Sequence, residues 1–316
     1  MNIKYINNLA SKILTVAAIS CLSPVFALEF AIDPKTDVIG EVKYIISKKG
    51  QDLHSIARDY DLGLLELQEA NPSIKNPDKL KPGTKLVIPT AFILPPGDRT
   101  GIVINLAEIR VYYFSPDGKT VFTHPLGIGK QGWGTPIGET TIVRKREHPT
   151  WTPPANIREE EEARGIDLPD VYPAGPNNPL GEYAMSLGWN GYEMHGTNAP
   201  KSIGLRSSHG CMRMYPEDIK SLFSMVPVGT KVRVMYEPYK LGVKDGDLFL
   251  EAHELFTDNY YNIDHNDKFT ALQQTVKTVD YPDASTIDWN QAKKLVKDAV
   301  GYPVNISEVS DAAESK

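Results

Sequence analysis

At 316 residues the chain is long enough for two domains with ordinary cores. Its 41% hydrophobic and 23% charged residues fit a globular protein, not a disordered or membrane-embedded one. The formal charge of −6 argues against nucleic acid as a partner, because such binding needs a basic face.

Residues 1–27 read as an export signal. Lys4 and Lys12 give a positive start, Ile13 to Leu22 is an apolar run, and Val25-Phe26-Ala27 offers a cleavage site. The run is too short for a permanent bilayer span, and no other stretch approaches it. The mature protein is therefore expected outside the cytoplasm, with no transmembrane segment. Ala18-Ile19-Ser20 before Cys21 weakly resembles a lipoprotein processing site, but Val25-Phe26-Ala27 is the better one. Cleavage there removes Lys4 and Lys12 and no acid, which takes the charge from −6 to −8. It also leaves Cys211 as the only cysteine, so no intramolecular disulfide can form. A lone thiol in an oxidising compartment is either a small core hydrophobe or a reactive group.

Residues 41–89 have the order strand, helix, helix, strand. Tyr44-Ile45-Ile46 leads into the turn Lys48-Lys49-Gly50. Asp52 can cap a helix in which Leu53, Ile56, Ala57 and Tyr60 form one apolar stripe. A second short helix carries Leu64, Leu65 and Leu67 and stops at Asn71-Pro72. Lys81-Pro82-Gly83-Thr84 turns into a last strand, Lys85 to Ile88, closed by Pro89. Gly50, Leu53, Ile56-Ala57, Asn71-Pro72, Leu80-Lys81-Pro82-Gly83 and Ile88-Pro89 closely resemble a LysM domain. The resemblance implies a small α+β module that binds peptidoglycan glycan strands, and an independent one that raises local concentration without building the catalytic site.

Leu94 to Asp98 reads as a linker. From Gly101 the pattern changes to period two: Ile102, Ile104 and Leu106, then Ile109, Val111 and Tyr113, then a strand from Thr120 to His124 after the Pro116-Asp117-Gly118 turn. The stretch from Arg144 to Leu180 is rich in proline and charge, with a short exposed helix expected from Glu159 to Arg164. So long an excursion is usually a wall or lid of a site. Pro216 opens a helix whose stripe is Ile219, Leu222, Phe223 and Val226, and Lys231 to Tyr236 is a strand. A strand from Asp247 to His253 and helices near Phe269–Val279 and Asp288–Val300 form a C-terminal extension, residues 238–316, frayed from 305.

Gly127-Ile128-Gly129-Lys130-Gln131-Gly132 fits a dinucleotide-binding pattern, but Trp133-Gly134-Thr135-Pro136-Ile137-Gly138 after it cannot open the helix that pattern needs. Tight turns explain the glycines, and no nucleotide is expected.

The chemistry concentrates between Met194 and Met214. A thiol attacks as thiolate and needs a base within reach, and the base needs a third group to orient it. His195 and His209 both precede Cys211 within sixteen residues, each beside a glycine. Backbone N–H groups around Gly210 and Cys211 are natural oxyanion donors. His195-Gly196-Thr197-Asn198 followed by Ser208-His209-Gly210-Cys211 and Arg213 resembles the signature of the YkuD-type L,D-transpeptidases, over about residues 99 to 237. Thr135-Pro136-Ile137-Gly138 and Asn178-Pro179-Leu180-Gly181 share in the resemblance, and residues 238–253 resemble the periplasmic branch that carries an N-terminal LysM module.

That resemblance implies a mostly β, YkuD-like β-sandwich in residues 99–237. It implies Cys211 as nucleophile, His195 as general base and the Gly196 carbonyl as its orienter. Ser208, His209 and Gly210 would shape the site and Arg213 would brace the loop. The donor is a tetrapeptide stem, attacked at its third-residue carbonyl with release of D-alanine, and no cofactor or metal is implied. The acceptor stays open among a diamino acid side chain, a lysine of an outer-membrane protein, and water, which would make a carboxypeptidase. Two rivals remain. One is a zinc hydrolase with His195, His209 and Cys211 as ligands, for which only Glu193 is at hand as base. The other is a glycan-binding protein with a vestigial cysteine site.

Overall fold

The computed structural model describes residues 28–256, 268–279, 281 and 284–308. The expected export signal, with Cys21, lies outside the described residues, as do residues 309–316.

Strand β1 (Leu28–Ala31) precedes β2 (Val38–Ile46), α1 (Leu53–Asp59), α2 (Leu64–Glu69) and β3 (Lys85–Ile93). Asp52 caps α1 by a reciprocal box: its carboxylate accepts from the Ser55 N–H at 2.7 Å, and Ser55 Oγ accepts from the Asp52 N–H at 3.0 Å. Strand β3 does not stop at Pro89 but runs on to Ile93. The reason lies two residues earlier, where the Asn71 carboxamide accepts from the Val87 N–H at 2.8 Å and donates to its carbonyl at 2.7 Å. Val87 thus faces away from β2, and Pro89, on the same side by the two-residue period, gives up no ladder bond.

The strands β4 (Gly101–Asn105), β5 (Arg110–Phe114), β6 (Thr120–Pro125), β7 (Ile128–Gly129) and β8 (Gly138–Glu147) come next. Helix α3 (Ala155–Ala163) lies in the β8–β9 excursion, before β9 (Tyr183–Leu187), β10 (Glu193–His195), β11 (Arg206–Ser208), β12 (Met212–Arg213), α4 (Pro216–Met225) and β13 (Lys231–Met235). Nine strands form one sheet in the order β1-β6-β5-β4-β13-β8-β9-β10-β12. The sheet curls on itself. Ile102 and Ile104 from one half and Met185, Met194 and Met212 from the other pack in the same core against Ile219 and Leu222 of α4. This is the mostly β catalytic fold expected. Strand β8 reaches Glu147, so the aperiodic excursion starts later than Arg144.

The period-two reading of β4 and β5 is right about direction and incomplete about burial, because both faces are covered. Val103, Tyr112, Phe114 and Val121 share a second core with Leu53, Ile56, Leu67 and Phe92 of residues 38–94. Polar ties add to it. The fully buried Arg110 guanidinium donates to both Glu66 carboxylate oxygens, at 2.6 and 3.0 Å, and to the Asp61 carbonyl at 2.9 Å. His124 Nδ1 lies 3.2 Å from an Asp61 carboxylate oxygen and 3.5 Å from one of Asp218. Gly63 and Gly204 meet backbone to backbone, so a Cβ on Gly204 would stand 2.0 Å from the Leu64 nitrogen. The N-terminal module is therefore not independent of the catalytic fold, and Leu94 to Asp98 is no free linker, since Leu94 is buried and its N–H donates to the Asp37 carbonyl.

The extension builds a three-stranded sheet from β14 (Tyr239–Lys244), β15 (Asp247–Ala252) and β16 (Val304–Asn305), covered by α5 (Lys268–Val276) and α6 (Trp289–Asp298). Two of its strands have no clear signal in the sequence. Val304-Asn305 pairs with β15 and Ile306 is buried, so residues 304–306 are part of the packed extension where fraying was expected from 305. Lys240 joins the parts: its ammonium donates to the Ile93 carbonyl at 2.7 Å, Glu108 at 2.8 Å and Glu251 at 2.9 Å. Among the described residues, no helix is long and apolar enough to cross a membrane.

Candidate active site

Strands β10 and β12 run parallel, with Met194 beside Met212 and His195 beside Arg213. Both methionines point into the core and are fully buried. Side chains alternate along a strand, so His195, Glu193 and Arg213 turn to the opposite face, and the Cys211 thiol lies close enough to Glu193 and Arg213 to feel the charge of both. The register carries that face across Ser186 and Ala184 of β9 to Arg144 and Arg146 of β8. One side of the sheet is core and the other is a polar floor.

His195 Nδ1 stands 2.6 Å from the Gly196 carbonyl oxygen. A carbonyl only accepts, so Nδ1 carries the proton and Nε2 keeps its lone pair. Burial, and then the neighbouring Arg213 charge, pull the His195 pKa down to about 4. The Cys211 thiol donates weakly to the Gly191 carbonyl at 3.4 Å. Burial pushes its pKa up to about 11, against the opposing pull of backbone hydrogen bonding at Glu193. At neutral pH the site thus rests as thiol and neutral imidazole.

Ser208 shapes the turn: its hydroxyl donates to the Cys211 carbonyl at 2.6 Å and accepts from the Gly210 N–H at 3.1 Å. That engages one of the two amides expected to serve an oxyanion. Gly210 has φ +105°, and a Cβ there would stand 2.9 Å from the Tyr192 ring, so both backbone angle and space select glycine. Arg213 exchanges backbone hydrogen bonds with Gly127, both at 2.8 Å, which braces the loop, while its buried Nε has no hydrogen-bond partner. His209 turns elsewhere. Its ring lies 4.7 Å from that of Trp133, edge to face, and its Nε2 is 3.3 Å from a Glu160 oxygen of α3. Its near donors are Glu160 and Glu161, so His195, His209 and Cys211 do not form one ligand set.

Sequence reasoning missed the support beneath this floor. Arg146 grips both Glu193 oxygens, at 2.6 and 2.7 Å, and Ser186 Oγ donates to one of them at 2.6 Å. Glu193 is thereby held as a counter-charge to Arg146, which fits poorly with a free base. The alternation of Arg144 and Arg146 is a signal that a strand, not a loop, begins the charged stretch. Nothing in the acidic run Glu159 to Glu162 singles out Glu160.

Residues 99–234 match the L,D-transpeptidase catalytic domain of the YkuD family, and residues 48–89 match the LysM domain. Over 297 residues the chain is 37% identical to the probable L,D-transpeptidase YcfS of Escherichia coli K12, covering 92% of each chain. It is 43% identical over 261 residues to the probable L,D-transpeptidase ErfK/SrfK of the same strain, covering 81% of this chain and 83% of the other. With YbiS, also a probable L,D-transpeptidase of that strain, it shares 41% identity over 278 residues, covering 85% and 89%.

Proposed function

Because the chain belongs to the L,D-transpeptidase family, we propose that it acts on peptidoglycan stem peptides in the periplasm, with Cys211 as nucleophile and His195 as general base. The observation that carries the assignment is the His195–Gly196 contact, which leaves the Nε2 lone pair free beside Arg213, whose charge also reaches the Cys211 thiol. His195 takes the thiol proton as sulfur attacks the third-residue carbonyl of a tetrapeptide. The tetrahedral intermediate expels D-alanine, whose nitrogen receives that proton, and a thioester remains. An acceptor amine then attacks the thioester, its proton passes through His195 to the departing sulfur, and the stem is transferred. The Cys211 N–H is the better oxyanion donor, since the Gly210 N–H is engaged with Ser208. Arg213 keeps His195 neutral by opposing a second cation beside it. Residues 41–89 would hold the glycan, 99–237 would perform the transfer, and 238–316 would buttress both.

Mass spectrometry of purified enzyme with disaccharide tetrapeptides tests this. The expected products are free D-alanine, a transient acyl adduct and a dimer joined through an amine. Hydrolysed tripeptide without dimer would make the enzyme a carboxypeptidase, and no release of D-alanine would sink the reading.

Replacing His195 by Gln should cost about two to four orders of magnitude in acylation rate. His209→Gln should cost less, because His209 faces Glu160 and Trp133. The reverse ranking at equal melting temperature would exchange their roles. The pH profile gives a second check. The reacting form, thiol plus neutral imidazole, persists from about 4 to about 11. Acylation should therefore be flat across neutral pH and fall on the acid side near pH 4, well below an ordinary histidine. An acid limb near pH 6.5 would contradict the assignment.

A further inference from the structure

The excursion between β8 and β9 braces itself. The Arg158 guanidinium donates to the carbonyls of Pro153, Leu168, Pro169 and Asp170, and Asn178 donates to those of Pro149, Tyr172 and Pro173. Helix α3 buries no side chain. Among the described residues, the α3 side-chain bonds that leave the excursion are those of Glu160. One of its carboxylate oxygens accepts from Lys130 Nζ, and the other lies 3.3 Å from His209 Nε2. Lys130 Nζ and His209 Nε2 are themselves 3.2 Å apart.

Two basic groups on separate loops thus converge on one carboxylate. His209 is placed by Ser208 and Gly210, two residues from Cys211, and Lys130 by the bond from its own N–H to the Ser208 carbonyl at 2.9 Å. Trp133 walls the pair, its ring against His209. Helix α3 has no buried face, so beyond the excursion's own bonds its charged tether to the rest of the fold is that of Glu160. An ammonium in the cluster also disfavours reading Glu160, Glu161 and His209 as a cation site.

We infer that Lys130 and His209 form a carboxylate subsite beside the nucleophile, that Glu160 occupies it in the resting enzyme, and that the terminal carboxylate of the donor stem displaces Glu160 on binding. The subsite rests on the stem-peptide reading above. A tetrapeptide stem ends in the D-alanine that leaves, so its carboxylate lies one residue beyond the attacked carbonyl. Displacement would lift α3 from the site as the donor seats, tying access to the charge of the correct substrate.

The test compares a tetrapeptide donor having a free C-terminal carboxylate with the same donor as a C-terminal amide. In full-length wild type, kcat/KM should favour the acid. Lys130→Ala should shrink that preference about tenfold, the loss of a charge-assisted contact, while Lys130→Arg should keep most of it. Glu160→Gln, which removes the resident charge, should lower KM for the free-acid donor about threefold with little change in kcat. Equal losses on acid and amide in Lys130→Ala, or an unmoved KM in Glu160→Gln, would overturn the subsite and leave the transpeptidase reading standing. Failure of wild type to release D-alanine from either donor would remove both.

Discussion

A Cys211→Ala protein is expected to keep its fold, release no D-alanine and gain no mass on incubation with a carbapenem. The β-lactam carbonyl of that drug is a strained acyl donor, so it reports on the same attacking atom as the stem peptide. The side chain contributes little to the structure. It is half-buried, and its hydrogen bond is a long thiol contact to the Gly191 carbonyl. Such a change should move stability by less than about 1 kcal/mol. The chemistry should vanish all the same, because the sequence contains no cysteine beyond residue 21 other than Cys211. The readout is the mass of the intact protein. A wild-type adduct that persists in the variant would identify another nucleophile, and substantial residual turnover would refute a covalent thiol mechanism.

A protein that starts at Asp98 is expected not to fold, and so not to be acylated. The reason is the second face of β4, β5 and β6. Removing residues 28–97 uncovers Val103, Tyr112, Phe114 and Val121, all buried against that segment. At about 1.5–3 kcal/mol for each large side chain returned to water, the loss is about 6–12 kcal/mol, comparable with the whole stability of a domain. Arg110 would also lose Glu66, and Lys240 would lose the Ile93 carbonyl. The connection between His195 and Ser208 would lose its floor, since Ile203 and Gly204 meet the start of α2. Circular dichroism, a thermal melt and the carbapenem adduct decide the matter together. A monomeric, cooperatively melting truncation that acylates at the wild-type rate would show that the shared core is dispensable.

That dependence marks the limit of what could be read from the residues alone. Local rules located the Asp52 cap, the Pro216 helix start and the β4–β6 meander, because each is written in a few consecutive positions. The motif around His195 and Cys211 was legible for the same reason. Pairings across the chain were not. Val103 and Tyr112 read as the outward half of an alternating strand, and only the docked module makes them core. The short strands around Cys211 have two or three residues, too few for any periodicity to register. Arg146 and Glu193 are ordinary surface residues by type, and the register of β8, β9 and β10 brings them together. Glu160 was visible as one member of an acidic run, with no local signal to set it apart.

The place of β4 in the sheet bears on how the chain folds as it emerges. One neighbour, β5, follows almost at once and pairs Tyr113 with Ile102, but the other is β13, which sets Val232 beside the same residue. A chain appearing from its N-terminus therefore holds an unpaired apolar strand edge through the whole interval in which the His195 and Cys211 segments are made. Long-range parallel pairing of this kind is slow, and an open edge invites other chains. Until β13 arrives, that edge of β4 stays open to pairing with any other strand it meets.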